Sequence, residues 1–193
     1  MALRDIIAQA RSYRRFQENT RVDMNTLVDI VDAARLVPSS TNLQPLRFGI
    51  STSREVNAKL FPHLGWARLL KDRKGPAEGE RPAAYIVIAG DLAQPKHHKT
   101  DMAIAAQTIN LLLAEAGLTA CMIANLNAKG VHEVMGFADN LEVHLVLAIG
   151  YKLEKVVVDE LAPGGDTNYW REANGTHHVP KRGLAEVLVQ RFE

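Results

Sequence analysis

Two short runs of mostly apolar residues place the strongest constraint on the fold of this 193-residue chain. Residues 84–89 (AYIVIA) and 143–149 (VHLVLAI) are rich in β-branched side chains. Such runs are typical of strands that are covered on both faces. Residues 48–51 and 121–124 are further candidate strands. We therefore expect a sheet that needs helices packed against it.

Helical periodicity and end signals lie between these runs. Asp23 is a candidate N-cap for a helix to about Leu36, and Ser53 for a helix to about Phe61. A helix from Thr100 or Asp101 to residue 116 has apolar side chains on nearly all sides, which indicates a central position or an oligomer interface. Shorter helices are predicted over residues 2–10, 129–135 and 184–190.

The order of these elements decides the fold class. Helices and strands interleave, but too few strands occur at regular βαβ spacing for a doubly wound parallel sheet. We therefore predict a single α+β domain over residues 1–193, with a central, mainly antiparallel sheet flanked by helices. Residues 62–82 read as a long surface excursion, and residues 159–180 as loop.

Composition excludes several classes of protein. The formal net charge is +1, from 23 basic and 22 acidic side chains, which argues against a nucleic-acid partner. No apolar run approaches the roughly 20 residues that span a bilayer, so no membrane association is expected. Cys121 is the only cysteine and lies in an apolar run, where a packing role is expected. These features fit a cytoplasmic protein.

Several common site motifs are missing. The chain has no Gly-x-Gly-x-x-Gly fingerprint, no P-loop and no Gly-x-Ser-x-Gly elbow. The pairs His97-His98 and His177-His178 suggest a metal, but adjacent side chains point in different directions and no carboxylate or cysteine lies at ligand spacing. No metal site is therefore expected.

Three polar segments remain as candidates for chemistry. Arg11-Ser12-Tyr13-Arg14-Arg15-Phe16 places guanidinium groups and a hydroxyl at a helix end, where they suit a phosphate. Residues 38–48 (PSSTNLQPLRF) hold hydroxyls and amides between two prolines, and residues 177–182 (HHVPKR) form a second basic group. Solvated charges and an ordinary turn are the alternative interpretations.

Together these segments resemble the FMN-dependent nitroreductase and flavin reductase superfamily. Its opening motif, Arg/His-Ser-x-Lys/Arg-x-Phe, matches residues 11–16, and its Pro-Ser-x-x-Asn-x-Gln-Pro-x-x-Phe motif matches residues 38–48 at every named position. Asp101-x-Ala-Ile-Ala-Ala-Gln107, Gly117-Leu118 and Pro180-Lys181-Arg182 extend the resemblance over almost the whole chain.

The resemblance implies an intertwined homodimer with an FMN site at each end of its interface. Arg11 and Ser12, with Lys181 or Arg182, would hold the FMN phosphate, and Arg14 would face the N1/C2 oxygen edge of the ring. The segment around Ala124 and Asn125 would bring backbone N–H groups toward N5. The partner subunit would contribute a polar set composed of Pro38, Ser39, Ser40, Asn42 and the supporting Gln44.

The implied activity is electron transfer from NADH or NADPH to a small organic acceptor, such as a nitroaromatic or a quinone, by a ping-pong mechanism. No protein residue is expected to act as catalytic acid or base, because the flavin carries the chemistry. Alternatives on the same scaffold are reductive dehalogenation, flavin fragmentation and a non-catalytic flavin-binding module.

Some positions depart from the family pattern or have open roles. Ala10 replaces an Arg that many relatives carry, Leu46 replaces an aromatic residue, and Ala124-Asn125 offers no carboxylate. These differences concern substrate choice more than FMN binding. Aromatic residues of the predicted loops either line the substrate pocket or anchor those loops; they are Trp66, Tyr169 and Trp170.

Overall fold

The computed structural model describes residues 2–66, 75–94 and 98–193. These residues form two compact units. The first contains the described residues up to Leu153, and the second contains Glu154–Glu193. The single domain over 1–193 stays a prediction. No helix in the described ranges is long and apolar enough to cross a membrane.

The first unit is built on a four-stranded antiparallel sheet. Its strands are β1 (Leu46–Ser51), β2 (Ala84–Asp91), β3 (Thr119–Ile123) and β4 (Leu141–Gly150), in the spatial order β1-β2-β4-β3. The two central strands, β2 and β4, contain the apolar runs at 84–89 and 143–149, whose residues other than His144 are buried. The predicted α+β fold with an antiparallel sheet is confirmed.

Five helices accompany this sheet. They are α1 (Leu3–Gln9), α2 (Met24–Ala34), α3 (Arg54–Leu60), α4 (His98–Glu115) and α5 (Ala128–Met135). Asp23 caps α2 by accepting from the Thr26 N–H, and Ser53 caps α3 by accepting from the Val56 N–H. Both predicted caps are confirmed. Short 3₁₀ turns lie at Ser40–Asn42 and Phe61–His63.

The main core lies between one sheet face and helices α2 and α4. Leu27 and Ile30 of α2 and Ile109 and Leu113 of α4 are buried in it, and Leu147 of β4 is fully buried against them. Burial of a large aliphatic side chain stabilises by roughly 1.5–3 kcal/mol. Helix α4 therefore has the central position that its apolar composition predicts.

The second unit corrects one expectation. Residues 159–180 are predicted as loop, but β5 (Val156–Leu161), β6 (Trp170–Arg171) and β7 (His177–Arg182) form a three-stranded sheet, followed by α6 (Leu184–Val187). Strands β5 and β7 pair in parallel. Their short, mixed-polarity sequences give little periodicity, because pairing with a distant strand rather than local pattern stabilises them.

Side-chain contacts explain the stability of this second sheet. Glu154 is buried and forms an ion pair with Arg171, and the Trp170 ring stacks on His178 with centroids 4.9 Å apart. The Tyr169 ring lies 5.2 Å from that of His177.

In the first unit, Trp66 is buried with its ring 5.7 Å from Phe61. Each of the three aromatic residues thus contacts a neighbouring ring, and a place in the substrate pocket stays a prediction. Cys121 is buried, as expected.

Candidate functional site

The first basic segment is attached to the edge of the sheet. Ser12 forms a parallel bridge with Ala120 of β3, and the Tyr13 N–H donates to the Ala120 carbonyl at 3.0 Å. Tyr13 and Phe16 are buried, whereas Ser12 is exposed and Arg11 and Arg14 are half-buried. The apolar side chains thus fix the segment, and the polar side chains face outward along the edge.

The two outer arginines differ from Arg15 in their surroundings. Arg15 forms an ion pair with Glu80, while the Arg11 guanidinium Nε donates to the Ala10 carbonyl at 3.1 Å. Arg14 contacts the Ser12 carbonyl with a long 3.4 Å hydrogen bond. The Arg11 contact uses one of the guanidinium N–H donors, and a guanidinium group carries five. Arg15 therefore contributes to the fold, and the binding roles of Arg11 and Arg14 stay predictions.

The predicted N5 segment follows the other end of β3. Ala124 and Asn125 are exposed. The Gly65 N–H donates to the Asn125 carbonyl at 2.7 Å, and Leu64 bridges Leu126. A Cβ on Gly65 would lie 2.2 Å from Asn125 Nδ2, so only glycine fits this close approach. Sequence reasoning missed this support, because residues 64–65 are distant in the chain and carry no motif.

The hydroxyl- and amide-rich segment is held by a buried carboxylate. Asp101, in the first turn of α4, is 2% exposed. Its Oδ2 accepts from Ser39 Oγ at 2.5 Å, and its Oδ1 accepts from the Ser40 N–H at 3.1 Å. Ser39 Oγ accepts in turn from the Gln44 N–H at 2.9 Å. Asp101 belongs to the family motif but is absent from the predicted binding set, and the structure shows that it shapes the segment.

The backbone of this segment is strained. Thr41, Asn42 and Gln44 have φ values of 48°, 58° and 50°, in the left-handed region that non-glycine residues rarely adopt. Each such residue costs on the order of 1–2 kcal/mol. Strained residues of this kind cluster at binding sites, where the surrounding structure holds them. Asn42 and Gln44 are exposed, and the Gln44 Nε2 donates to the Asn42 carbonyl at 3.2 Å.

A small cleft lies beside this segment. It has a volume of about 160 Å³ and is lined in part by Pro38, Ser39 and Gln44. Ligand sites for molecules of cofactor size occupy roughly 300–1,000 Å³. The cleft therefore accommodates only part of such a ligand.

The two polar segments of the first unit lie far apart in one chain. The strained segment, residues 38–44, ends just before β1, where Leu46 pairs with Gly90 at the β1 edge of the sheet. Ser12 lies at the opposite edge, beside Ala120 of β3. The register aligns Leu46 with Glu142 and Ala120 with Ile149. Leu46 is thus three strand spacings, about 14 Å, from Ala120, and Ser12 lies one spacing further out. Along the strands the two positions are six residues apart on β2 and seven on the bulged β4, which is about 20–23 Å.

Lys181 and Arg182 lie on β7 of the second unit. Both are exposed, and Arg182 forms an ion pair with Glu186 at 2.8 Å. Lys181 lies opposite Glu160 in the parallel register with β5. Their role at a phosphate stays a prediction.

Comparisons with known structures agree with this fold. A Clostridium novyi nitroreductase family protein is 22% identical, with a TM-score of 0.66, over 79% of this chain and 86% of that one. An FMN-dependent nitroreductase from Clostridium difficile is 24% identical, with a TM-score of 0.65, over 78% and 87% of the two chains. Iodotyrosine deiodinase bound to FMN and 3-iodo-L-tyrosine is 17% identical, with a TM-score of 0.66, over 78% and 90%.

Comparison of the sequence also points to one family. No curated protein gives a match to this chain. The family model described as "Nitroreductase family" matches residues 7–151, which include both polar segments of the first unit and the Ala124-Asn125 stretch. Three-quarters of the chain thus follow the family pattern within an observed fold of the same kind, and the chain belongs to the nitroreductase family.

Proposed function

We propose that this protein is an FMN-dependent oxidoreductase that works as a homodimer and transfers electrons from NADH or NADPH to a small organic acceptor. The observation that carries the proposal is the placement of two polar segments at opposite edges of one sheet. One copy presents Arg11, Ser12 and Arg14, and a second copy supplies the strained segment. In a symmetric dimer, the arginine segment of each chain then meets the strained segment of the other chain, which gives two equivalent sites.

The donor set fits the phosphate end of FMN. Arg11 and Ser12 offer guanidinium N–H groups and a hydroxyl on a fixed backbone, the donor types that bind phosphate esters best. Lys181 or Arg182 would add a cation from the end of the chain. These groups would position the cofactor and leave the reaction to the ring.

Arg14 would act on the ring itself. When bound, FMN supplies hydride and electron transfer chemistry between the nicotinamide and the acceptor. The Arg14 guanidinium, half-buried at the sheet edge, would stabilise negative charge at the N1/C2 oxygen edge. Such a pairing is stronger where water is partly excluded. Arg14 would therefore raise the tendency of the cofactor to accept electrons.

The strained segment would complete the site from the partner subunit. Its hydrogen bonds to Asp101 fix the positions of Ser39 and Ser40. Preorganisation lowers the entropic cost of binding, so the Asn42 and Gln44 amides would recognise polar edges of the ring at little further cost. Ala124-Asn125, fixed by Gly65, would provide backbone groups near N5.

The test begins with the absorbance spectrum of the purified chain. We expect flavin bands, release of FMN on heating, one FMN per chain, and a dimer in sedimentation equilibrium. NADH or NADPH should bleach the bands under anaerobic conditions, and a quinone or nitroaromatic should restore them. A colourless dimer that binds no FMN at micromolar concentration overturns the proposal, as does a stable monomer. Bleaching without recovery by any acceptor favours a non-catalytic flavin-binding module.

A further inference from the structure

Two histidines and a glutamate meet at one end of the main sheet. His98 Nδ1 lies 3.0 Å from His144 Nε2, and Glu142 Oε2 lies 3.8 Å from the same His144 atom. All three ligand atoms lie within 4.8 Å of one another. His98 is 3% exposed, and the His144 side chain is 13% exposed. Glu142 is more open to solvent, so an ion can enter from that side.

Two features of the backbone build this arrangement. The β2–β4 register passes from Ile88–Leu145 to Ala89–Val143, so His144 is the extra residue of a β-bulge. Bulges redirect a side chain, and here the bulge places a histidine in a strand whose next six residues are buried. Gly90 makes room for the His98 ring, because a Cβ at position 90 would lie 2.3 Å from His98 Nδ1.

The remaining nitrogen of His98 fixes its tautomer. His98 Nε2 lies 2.8 Å from the Asp91 carbonyl, which only accepts, so Nε2 carries the hydrogen. In that tautomer, the Nδ1 lone pair points at His144 Nε2. A histidine whose second N–H donates to a backbone carbonyl is the usual outer arrangement of a metal ligand. Either a hydrogen on His144 or a cation bound to both rings satisfies that lone pair.

The separations suit a tetrahedral ion. Ligand atoms about 2.0–2.1 Å from a tetrahedral Zn²⁺ are about 3.3 Å apart. Two of the three separations, 3.0 and 3.8 Å, lie on either side of that value, and the third, between His98 Nδ1 and the Glu142 carboxylate, is within 4.8 Å. Two imidazoles and one carboxylate, with water in the fourth position, form a set that binds Zn²⁺ and neighbouring divalent transition ions.

We propose that His98 Nδ1, His144 Nε2 and a Glu142 carboxylate oxygen form a site for a divalent transition-metal ion of the Zn²⁺ class. The site joins the first turn of α4 to β4, and the inference does not rest on the proposed flavin function. From the sequence, no metal is expected at pairs of adjacent histidines. This site is different, because the second histidine is His144 of β4 and not the residue next to His98. His98 lies three residues before Asp101 on the same helix, so the ion would also restrain the helix turn that holds the strained segment.

Zinc titration of the full-length protein tests the site. The protein, stripped with a chelator and dialysed, is titrated with ZnCl₂ by calorimetry, and Co²⁺ is used in parallel for its visible ligand-field bands. We expect about one equivalent bound with micromolar or tighter affinity. His144→Gln and Glu142→Gln should each weaken binding by at least about tenfold and reduce the Co²⁺ bands.

The control is a histidine that also lies near two carboxylates. His178 contacts Asp159 at 2.9 Å and Glu172 at 3.3 Å, and His178→Gln should leave zinc affinity unchanged. Glu142 is exposed, so Glu142→Gln keeps the test valid if substitution of a buried histidine prevents folding. Absence of binding up to about 100 µM zinc overturns the proposal. Equal binding by wild type, His144→Gln and Glu142→Gln also overturns it. Flavin content, read separately at the flavin bands, distinguishes failure here from failure of the proposed function.

Discussion

Ser39 donates its hydroxyl hydrogen to the buried carboxylate of Asp101, with Oγ and Oδ2 2.5 Å apart. Asp101 also accepts from the Ser40 N–H, so one side chain determines the conformation of a segment 61 residues earlier in the chain. Three left-handed, non-glycine residues follow in that segment. Their strain needs this support, and the relationship makes Asp101 a positioning residue for the proposed flavin site.

The variant Asp101→Asn tests this positioning role. An asparagine has one acceptor oxygen and no charge, so it cannot accept from both the Ser39 hydroxyl and the Ser40 N–H, and the charge-assisted hydrogen bonds are lost. We expect a loss of about 1–3 kcal/mol in the free energy of unfolding, measured with urea. FMN should bind less tightly, and the Kd should rise at least about tenfold if the loss appears in binding. Asp29→Asn, at an exposed position on α2, is the matched control. Wild-type FMN affinity in Asp101→Asn would contradict the role.

The close approach of Gly65 to Asn125 gives a second prediction. In Gly65→Ala, the new methyl group meets Asn125 Nδ2 and the Asn125 carbonyl, and the 124–125 segment must move. We expect a cost of about 1–3 kcal/mol and an altered visible circular dichroism of the bound flavin. Gly183→Ala is the control, because the nearest atom to its added Cβ is Glu160 Oε1 at 3.8 Å. An unchanged flavin signal in Gly65→Ala would place the 124–125 segment away from the cofactor.

Mixed dimers test whether each site uses two chains. Arg14→Ala and Asn42→Ala should each raise the FMN Kd at least about tenfold, since both remove a predicted ligand contact. Unfolding and refolding the two variants together should produce heterodimers with one intact and one doubly altered site. About a quarter of all sites should then bind FMN with wild-type affinity, by statistical mixing of symmetric dimers. No recovery of tight sites, with both variants folded and dimeric, would place Arg14 and Asn42 in the same subunit's site.

Tyr85 should make the fold sensitive to alkaline pH. It is 1% exposed on β2, and burial raises the pKa of its phenol well above the ordinary value, with Arg81 opposing the shift and Glu18 adding to it. Between the unfolded pKa of about 10 and the higher folded pKa, only the unfolded chain loses this proton. The stabilisation is therefore complete below pH 10 and declines as the pH rises above it.

The expected decline is about 1.4 kcal/mol for each pH unit above 10. Urea unfolding at pH 7 and pH 11 measures it in wild type and in Tyr85→Phe. The variant should lose less stability than wild type between the two pH values by about that amount, and its value at pH 7 serves as the internal reference. Parallel losses in the two proteins would show that Tyr85 does not contribute.

The sequence alone determined the elements whose signals are local. The caps at Asp23 and Ser53 and the buried strands at 84–89 and 143–149 follow from hydrogen bonding and apolar pattern within a few residues. The family motifs also identified candidate residues for the site. The chemical types of these residues can be identified from the sequence, because recognition of a phosphate and of a flavin ring requires particular hydrogen-bond donors.

Only the tertiary structure decided which of these residues meet. The second sheet forms by pairing β5 with a strand whose paired residues lie 21 positions later, which no local pattern reveals. Strand order places Ser12 and Leu46 at opposite edges, and a bulge brings His144 to His98 across 46 residues. The physical reason is common to all three. Register and strand order are set by the summed packing of the whole unit, and a short stretch of sequence contains only a small part of that free energy.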